Sequence, residues 1–435
     1  MTPEELRVLT ALERKQPDRV PLFELGANPL PILKVLAPFP LRYIVTRKRI
    51  YEDIIGCAME NYGMVPKKGS LNRALIRPYV KFFTELPKTY DRAAWLAKQT
   101  FRTPIKLGYD SWVLPIHPTF VLKDIVEKNG KVLLCDTQNT LYDIEPVSGD
   151  PRAVDVLLPP DEQLVYYTNF LKKIRKNPRE ILDYAEKVMS YKIGGKKIKE
   201  QVCVCGMLIG FFEAWYSVYG ISNMHLFFRQ LMKEHRDGNK GPYHDMLEEK
   251  LGAFIEITKG AADIGIQVLV LGEDCAMQTG PMVSPSVYKS YFFPFLKEFC
   301  DEAHKVGIKV ILHTDGRLEV PNRENPWEFM EALLDTGIDG LHPIEEGVND
   351  VKVIKKKFGR RVCLLGNIDT DMLQNGTPEQ VTEVVKEKIK IVGSDGGYIC
   401  GSDNGIFAGT DVKNWLAMVK AVKRYGVYED IPAEF

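Results

Sequence analysis

His313, Thr314 and Asp315 close the apolar run Lys309-Val-Ile-Leu-His-Thr-Asp315. In an extended strand, residues i and i+2 project to the same side. The imidazole of His313 and the carboxylate of Asp315 can therefore reach one ion or one substrate atom. A His-x-Asp pair alone is a common chance pattern, and three chemistries are open to it: metal ligation, acid–base or hydrogen-bonding work on a substrate, and a structural hydrogen bond. Similar apolar runs also end in polar groups. They are Val268-Leu-Val-Leu-Gly-Glu-Asp274, Gly340-Leu-His-Pro-Ile-Glu345, Val362-Cys-Leu-Leu-Gly-Asn-Ile-Asp369 and Tyr398-Ile-Cys-Gly-Ser-Asp403.

Such runs alternate with amphipathic helices, which reads as a parallel sheet buried on both faces. Thr2-Pro-Glu-Glu5, Asn325-Pro-Trp-Glu328 and Thr377-Pro-Glu-Gln380 read as capping boxes with Pro at the first helical position. Gly307, Gly337, Gly359 and Gly426 stand where helix C-caps belong, and Pro294 predicts a kink or break. Three upstream runs, Val20–Leu25, Tyr109–Leu114 and Val202–Leu208, complete a set of eight strands. The expected fold is α/β: a (β/α)8 TIM barrel with an N-terminal helical extension. An open doubly wound sheet competes, but no Gly-x-Gly-x-x-Gly follows the first strand. One domain over 1–435 is expected, with insertions at about 28–105 and 119–200. In the second, Asn129-Gly130 predicts a hairpin and 160–200 reads as helical.

A barrel of this kind carries its chemistry at the C-terminal strand ends. That rule gathers Glu24, Asp110, Glu273, Asp274, His313, Asp315, Glu345, Asn367, Asp369, Asp403 and Asn404 at one mouth. Buried carboxylates must be paired, hydrogen-bonded or metal-bound, so a cation or a cationic substrate is implied. Glu273 and Asp274 are neighbours and point to opposite faces. Asp274 is expected in the pocket, with Glu273 in outer contacts. Asp403 or Asn404 should face His313. The expected metal ligands are His313, Asp315 and Asp403, and the expected catalytic groups are His313, Asp274 and Glu213. Glu24, Asp110, Asn367 and Asn404 are expected to contact substrate. Glu213 lies in the aromatic run Phe211-Phe-Glu-Ala-Trp-Tyr216, where apolar neighbours raise a carboxyl pKa. Asp369 suits a helix cap as well as a site, and His342 reads as a core histidine.

Lys+Arg and Asp+Glu both number 58, so composition gives no electrostatic case for nucleic acid or an acidic membrane. No apolar run reaches the roughly 18 residues of a membrane span, and Met1-Thr-Pro-Glu-Glu begins no secretory signal. The eight Cys form no Cys-x-x-Cys, which reads as a reducing compartment. These features predict a soluble cytoplasmic enzyme of open oligomeric state.

Several blocks resemble the uroporphyrinogen decarboxylase superfamily. They are Val268–Asp274, Gly280-Pro-Met-Val-Ser-Pro-Ser-Val-Tyr288, Pro294, His313-Thr-Asp-Gly316, Thr336-Gly-Ile-Asp-Gly340, Gly366-Asn-Ile-Asp369, Gly376-Thr-Pro-Glu379 and Gly396-Gly-Tyr-Ile399, with residues 3–27 similar to its opening segment. The resemblance implies one of two chemistries: cofactor-free decarboxylation of a tetrapyrrole, or cobalamin-dependent methyl transfer, usually with zinc. A substrate rich in carboxylates needs Arg. The decarboxylases carry it after the first strand, where this chain reads Phe23-Glu-Leu-Gly-Ala-Asn28. The methyltransferase branch is therefore the closer resemblance. Its thiol-methylating members bind zinc through His-x-Cys and a later Cys. Here His313 matches, Asp315 replaces the first Cys, and Asp403 or Asn404 falls near the second. The resemblance thus implies a divalent metal, zinc by analogy, and methyl transfer from a small O- or N-methylated substrate, such as a methoxylated aromatic, to a corrinoid protein. The chain has no Asp-x-His-x-x-Gly corrinoid module, so cobalamin would arrive on that partner. A cofactor-free decarboxylase or lyase, and a non-catalytic ligand-binding barrel, are the alternatives.

Overall fold

The computed structural model describes residues 1–27, 31, 32, 35, 90–116, 122–144, 151–407 and 409–430. Seven parallel strands form one curled sheet in the order Ser111–Pro115, Cys203–Ile209, Val268–Gly272, Lys309–His313, Gly340–His342, Cys363–Ile368, Tyr398–Ser402. Each is short and almost wholly apolar, as a strand buried on both faces must be. The predicted first strand completes the ring. Phe23 N–H donates to Cys400 O at 3.0 Å and Cys400 N–H to Pro21 O at 2.9 Å. On its other side, Leu22 O accepts from the N–H groups of Asp110 and Ser111 at 3.2 and 3.0 Å. Segment 20–25 therefore joins the two edge strands and closes the barrel.

Side-chain alternation divides the strands between two buried layers. Phe23, Val113, Cys205, Val270, Ile311, Leu365 and Ile399 fill the lumen. Leu22, Leu114, Leu269, Leu312, Leu364 and Cys400 face the surrounding helices. The lower end of the lumen is plugged by Val8, Ala11 and Leu12 of helix Pro3–Leu12. That helix starts on the predicted capping box, with Thr2 Oγ1 accepting from Glu5 N–H at 3.1 Å and Glu5 returning a 2.7 Å bond.

The punctuation is realised in part. Thr377 and Gln380 form their capping box. Asn325 does not cap: its helix begins at Glu328, and Asn325 Oδ1 accepts from Trp327 N–H within the preceding turn. Gly307 and Gly337 are left-handed, whereas Gly359 and Gly426 are not. Pro294 lies in the first turn of helix Phe293–Lys305, after a π-helical turn over Tyr288–Phe292. Within the second insertion, strands Leu122–Lys128, Lys131–Asp136, Thr140–Ile144 and Pro151–Val156 make an antiparallel meander. Its first turn holds Asn129 and Gly130 at φ 54° and 74°, the type I′ geometry their sequence predicts. Helices Pro160–Lys176 and Arg179–Ser190 follow. Of the first insertion, 28–89 lies outside the described residues except for 31, 32 and 35, and Tyr90–Leu107 is helical. Seven described Cys are free and buried. No helix among the described residues is long and apolar enough to cross a membrane.

Two expected substrate contacts are corrected by the fold. Asp110 precedes strand Ser111–Pro115 and therefore stands at the N-terminal end of the barrel, opposite the mouth. Its buried carboxylate accepts from both Arg19 Nη atoms at 2.7 and 2.8 Å, from Arg7 at 3.1 Å and from Leu22 N–H at 2.8 Å. Glu24 shares the outward side of its strand with Leu22. It lies fully buried in the barrel wall, accepting from the Ser402 hydroxyl, while its Oε2 has no hydrogen-bond partner. Burial pushes its carboxyl up to about 8.

Two outcomes are expected. Asp110→Asn removes the charge that two partly buried guanidiniums face, so urea denaturation should show a loss of about 3–5 kcal/mol. Glu24 holds its proton in the folded state up to about pH 8 but loses it near 4.5 when unfolded. Its contribution is thus present below pH 4.5 and is lost as pH rises towards 8. Glu24→Gln should shrink the fall in Tm between pH 5 and pH 8; an unchanged pH dependence would refute this assignment.

Candidate active site and metal centre

His313 is the last residue of its strand, and Asp315 lies two residues beyond it. Asp274 follows the end of the neighbouring strand Val268–Gly272. One ligand atom from each of Asp274, His313 and Asp315 lies within 4.8 Å of the other two. His313 Nε2 and Asp315 Oδ1 are 3.9 Å apart. Asp315 Oδ2 accepts from Asn404 Nδ2 at 2.9 Å, whereas Oδ1 is buried without a hydrogen-bond partner. A carboxylate fixed through one oxygen, with the other buried and unused, suits a cation ligand. Burial, Asp274 and Glu345 push the Asp315 carboxyl up to about 6 against the opposing pull of His313. Two carboxylates and one imidazole form a hard, oxygen-rich donor set for a divalent ion.

Glu273 and Asp274 divide as the alternation predicts. Glu273 turns away from the lumen and accepts from the backbone N–H groups of Phe211, Phe212 and Glu213, the last two at 2.7 and 3.1 Å. That grip fixes the loop after strand Cys203–Ile209, which carries Glu213. Glu213 Oε2 lies 2.9 Å from the point where a Cβ on Gly272 would stand, so the missing side chain at 272 gives it room. Burial first, then the charges of Asp274 and Glu273, raise the Glu213 carboxyl well above its ordinary range. The shift favours its protonated form, and it lies beside the Asp274, His313 and Asp315 cluster.

Asp403 does not join the cluster. Its Oδ1 accepts from Thr370 N–H at 3.1 Å, and burial, Asp369 and Asp315 push its carboxyl up to about 7. Asn404, one residue on, supplies the contact to Asp315. Asn367 is buried at the mouth and donates to Ile344 O at 2.8 Å, with its Oδ1 left without a partner. Asp369 accepts from Asp371 N–H and caps helix Thr370–Asn375. Glu345 holds the Gly316 N–H at 2.7 Å and so braces the turn after Asp315. A cleft of about 640 Å³ opens beside the mouth, lined by Asn367, Asp369, Arg317, Asn349, Asp350 and Lys388 among others. None of the three clustered ligands lines it.

Sequence reasoning missed the role of His342. It is buried, as a core histidine should be, yet its Nδ1 lies 2.8 Å from His313 Nδ1. Both histidines end successive strands of a parallel sheet, and only the register in which those strands pair brings them together.

The sequence pattern of the uroporphyrinogen decarboxylase (URO-D) family matches residues 169–425. A uroporphyrinogen decarboxylase from Coxiella burnetii is 22% identical over 193 residues, which cover 44% of this chain and 49% of that protein. The match thus spans about half the length of that curated relative. Among solved structures, a methyltransferase from Methanosarcina mazei superposes over 98% of this chain and 99% of its own, with a TM-score of 0.55 and 17% identity. That likeness is one of fold. With a family pattern extending from the second insertion to the last barrel helix, this chain belongs to the uroporphyrinogen decarboxylase (URO-D) family.

Proposed function

We propose that this protein is a metal-assisted, corrinoid-dependent methyltransferase. It would take a methyl group from a small O- or N-methylated donor, such as a methoxylated aromatic, and deliver it to a separate corrinoid protein in the cytoplasm. The observation that carries this reading is the convergence of Asp274, His313 and Asp315 within 4.8 Å, with one buried Asp315 oxygen unpartnered. These three residues would hold a divalent ion, zinc by analogy with the methyltransferase branch. A bound metal would polarise the donor's oxygen or nitrogen, and a cobalt(I) corrinoid would supply the nucleophile for its methyl carbon.

The chain's own groups serve that chemistry. Asn404 holds Asp315 in its ligating orientation. Glu213 carries a proton beside the cluster and would give it to the departing heteroatom, the general-acid role a raised pKa suits. The neighbouring cleft offers room for the rest of the donor. Decarboxylation is the second reading, favoured by the name of the Coxiella relative. Against it stands a mouth crowded with carboxyl groups, which would repel a polyanionic substrate.

Elemental analysis of the purified protein should give one divalent ion per chain, absent from His313→Ala and Asp315→Asn. With a cobalt(I) corrinoid and a panel of methoxylated and N-methylated donors, Glu213→Gln should keep the ion and lose roughly 10²–10⁴ of the rate. Carbon dioxide release independent of corrinoid would select the decarboxylase reading. Tight ligand binding with no turnover, unaffected by His313→Ala, would select a non-catalytic barrel.

A further inference from the structure

The geometry points to His342 as a positioning residue that fixes a proton on Nδ1 of His313, so that Nε2 is the nitrogen His313 offers to the acidic cluster. This deepens the metal reading, although the tautomer claim stands on hydrogen bonds alone. The chain of bonds begins at Ser402. Its backbone carbonyl can only accept, and His342 Nε2 lies 3.2 Å from it. The proton on His342 is therefore on Nε2. His342 is fully buried, its two ring nitrogens face Ser402 O and His313 Nδ1, and neither partner is a carboxylate that could offset a buried charge, so the ring is neutral. A neutral ring with its proton on Nε2 has a lone pair on Nδ1. That lone pair faces His313 Nδ1 at 2.8 Å, so His313 Nδ1 must donate. The nitrogen of His313 left for the cluster is then Nε2, the atom 3.9 Å from Asp315 Oδ1.

Packing holds this arrangement. The His313 and His342 rings stack with centroids 5.0 Å apart, and Phe23 meets the His342 ring edge-on at 5.1 Å. A Cβ at Gly366 would stand 3.3 Å from the same ring. His342 thus serves His313 as a backbone carbonyl or carboxylate serves many metal-bound imidazoles, by occupying the nitrogen that is not to be used.

The test uses the full chain with 15N-labelled histidine, and seven His residues keep the spectrum tractable. In metal-free wild type, two-bond 1H–15N correlations should show His313 protonated on Nδ1. His342→Phe keeps the ring and removes both nitrogens. It should release His313 into a mixture of tautomers and weaken zinc binding, measured by chelator competition, roughly 10–100-fold. His342→Asn places a carbonyl oxygen near the position of Nδ1 and should restore most of that affinity. A His313 without a proton on Nδ1 in the wild type, or an unchanged tautomer and zinc affinity in a folded His342→Phe, would overturn the proposal. If the phenylalanine variant fails to fold, the wild-type spectrum and the asparagine variant still decide. A wild type that shows the stated tautomer but binds no zinc would defeat the metal reading and leave this one standing.

Discussion

Closure of the ring by segment 20–25 is the constraint from which the rest of the structure follows. A seven-stranded sheet has two edges of unpaired backbone groups, and here the same short stretch satisfies both. Its fit against the last strand is close: a Cβ on Gly401 would come within 2.3 Å of Phe23 O. Only glycine allows the two backbones to approach in this way. Asp110 then fastens the joint by binding Leu22 N–H, Arg19 and Arg7 at once. Without closure, the ends of strands Val268–Gly272, Lys309–His313 and Tyr398–Ser402 would not face a common space.

The acids of this barrel illustrate how differently one functional group can be accommodated in a protein interior. Asp110 is neutralised by two guanidiniums. Glu273 is held by three backbone amides, and even so burial pushes it up to about 7. Glu24 receives one hydroxyl and retains its proton. Asp315 receives one amide and faces His313 on one side and the like charges of Asp274 and Glu345 on the other. The first two are anchored by groups the chain itself provides. The last is the member of the series whose environment is completed best by something from outside.

Much of this architecture was legible in the sequence because its physics is local. Continuous apolar runs, the Pro residues that open helices Pro3–Leu12 and Pro378–Lys388, and the Asn129-Gly130 turn each carry their own geometric consequence and reappear in the structure, whereas Pro326 lies ahead of a helix that starts at Glu328. The inward turn of Asp274 and outward turn of Glu273 follow from strand alternation alone. What failed was judged by residue type in place of position. Asp110 was gathered with the mouth acids, although a residue at the start of a parallel strand must lie at the far end. Glu24 has the parity of Leu22 and so belongs to the wall. Asp403 and Asn404 could not be separated, because their roles depend on how the chain turns after its strand. The pairing of His313 with His342 required the register between strands, which no single run contains.

The joint at Glu273 and Asp274 has a mechanical consequence. One residue grips the loop bearing Glu213, and its covalent neighbour reaches into the ligand cluster. The positions of Glu213 and Asp274 are therefore tied together through adjacent residues of one strand end. A swing of the 211–213 loop would tear three hydrogen bonds from a buried carboxyl group and pull on Asp274 beside it.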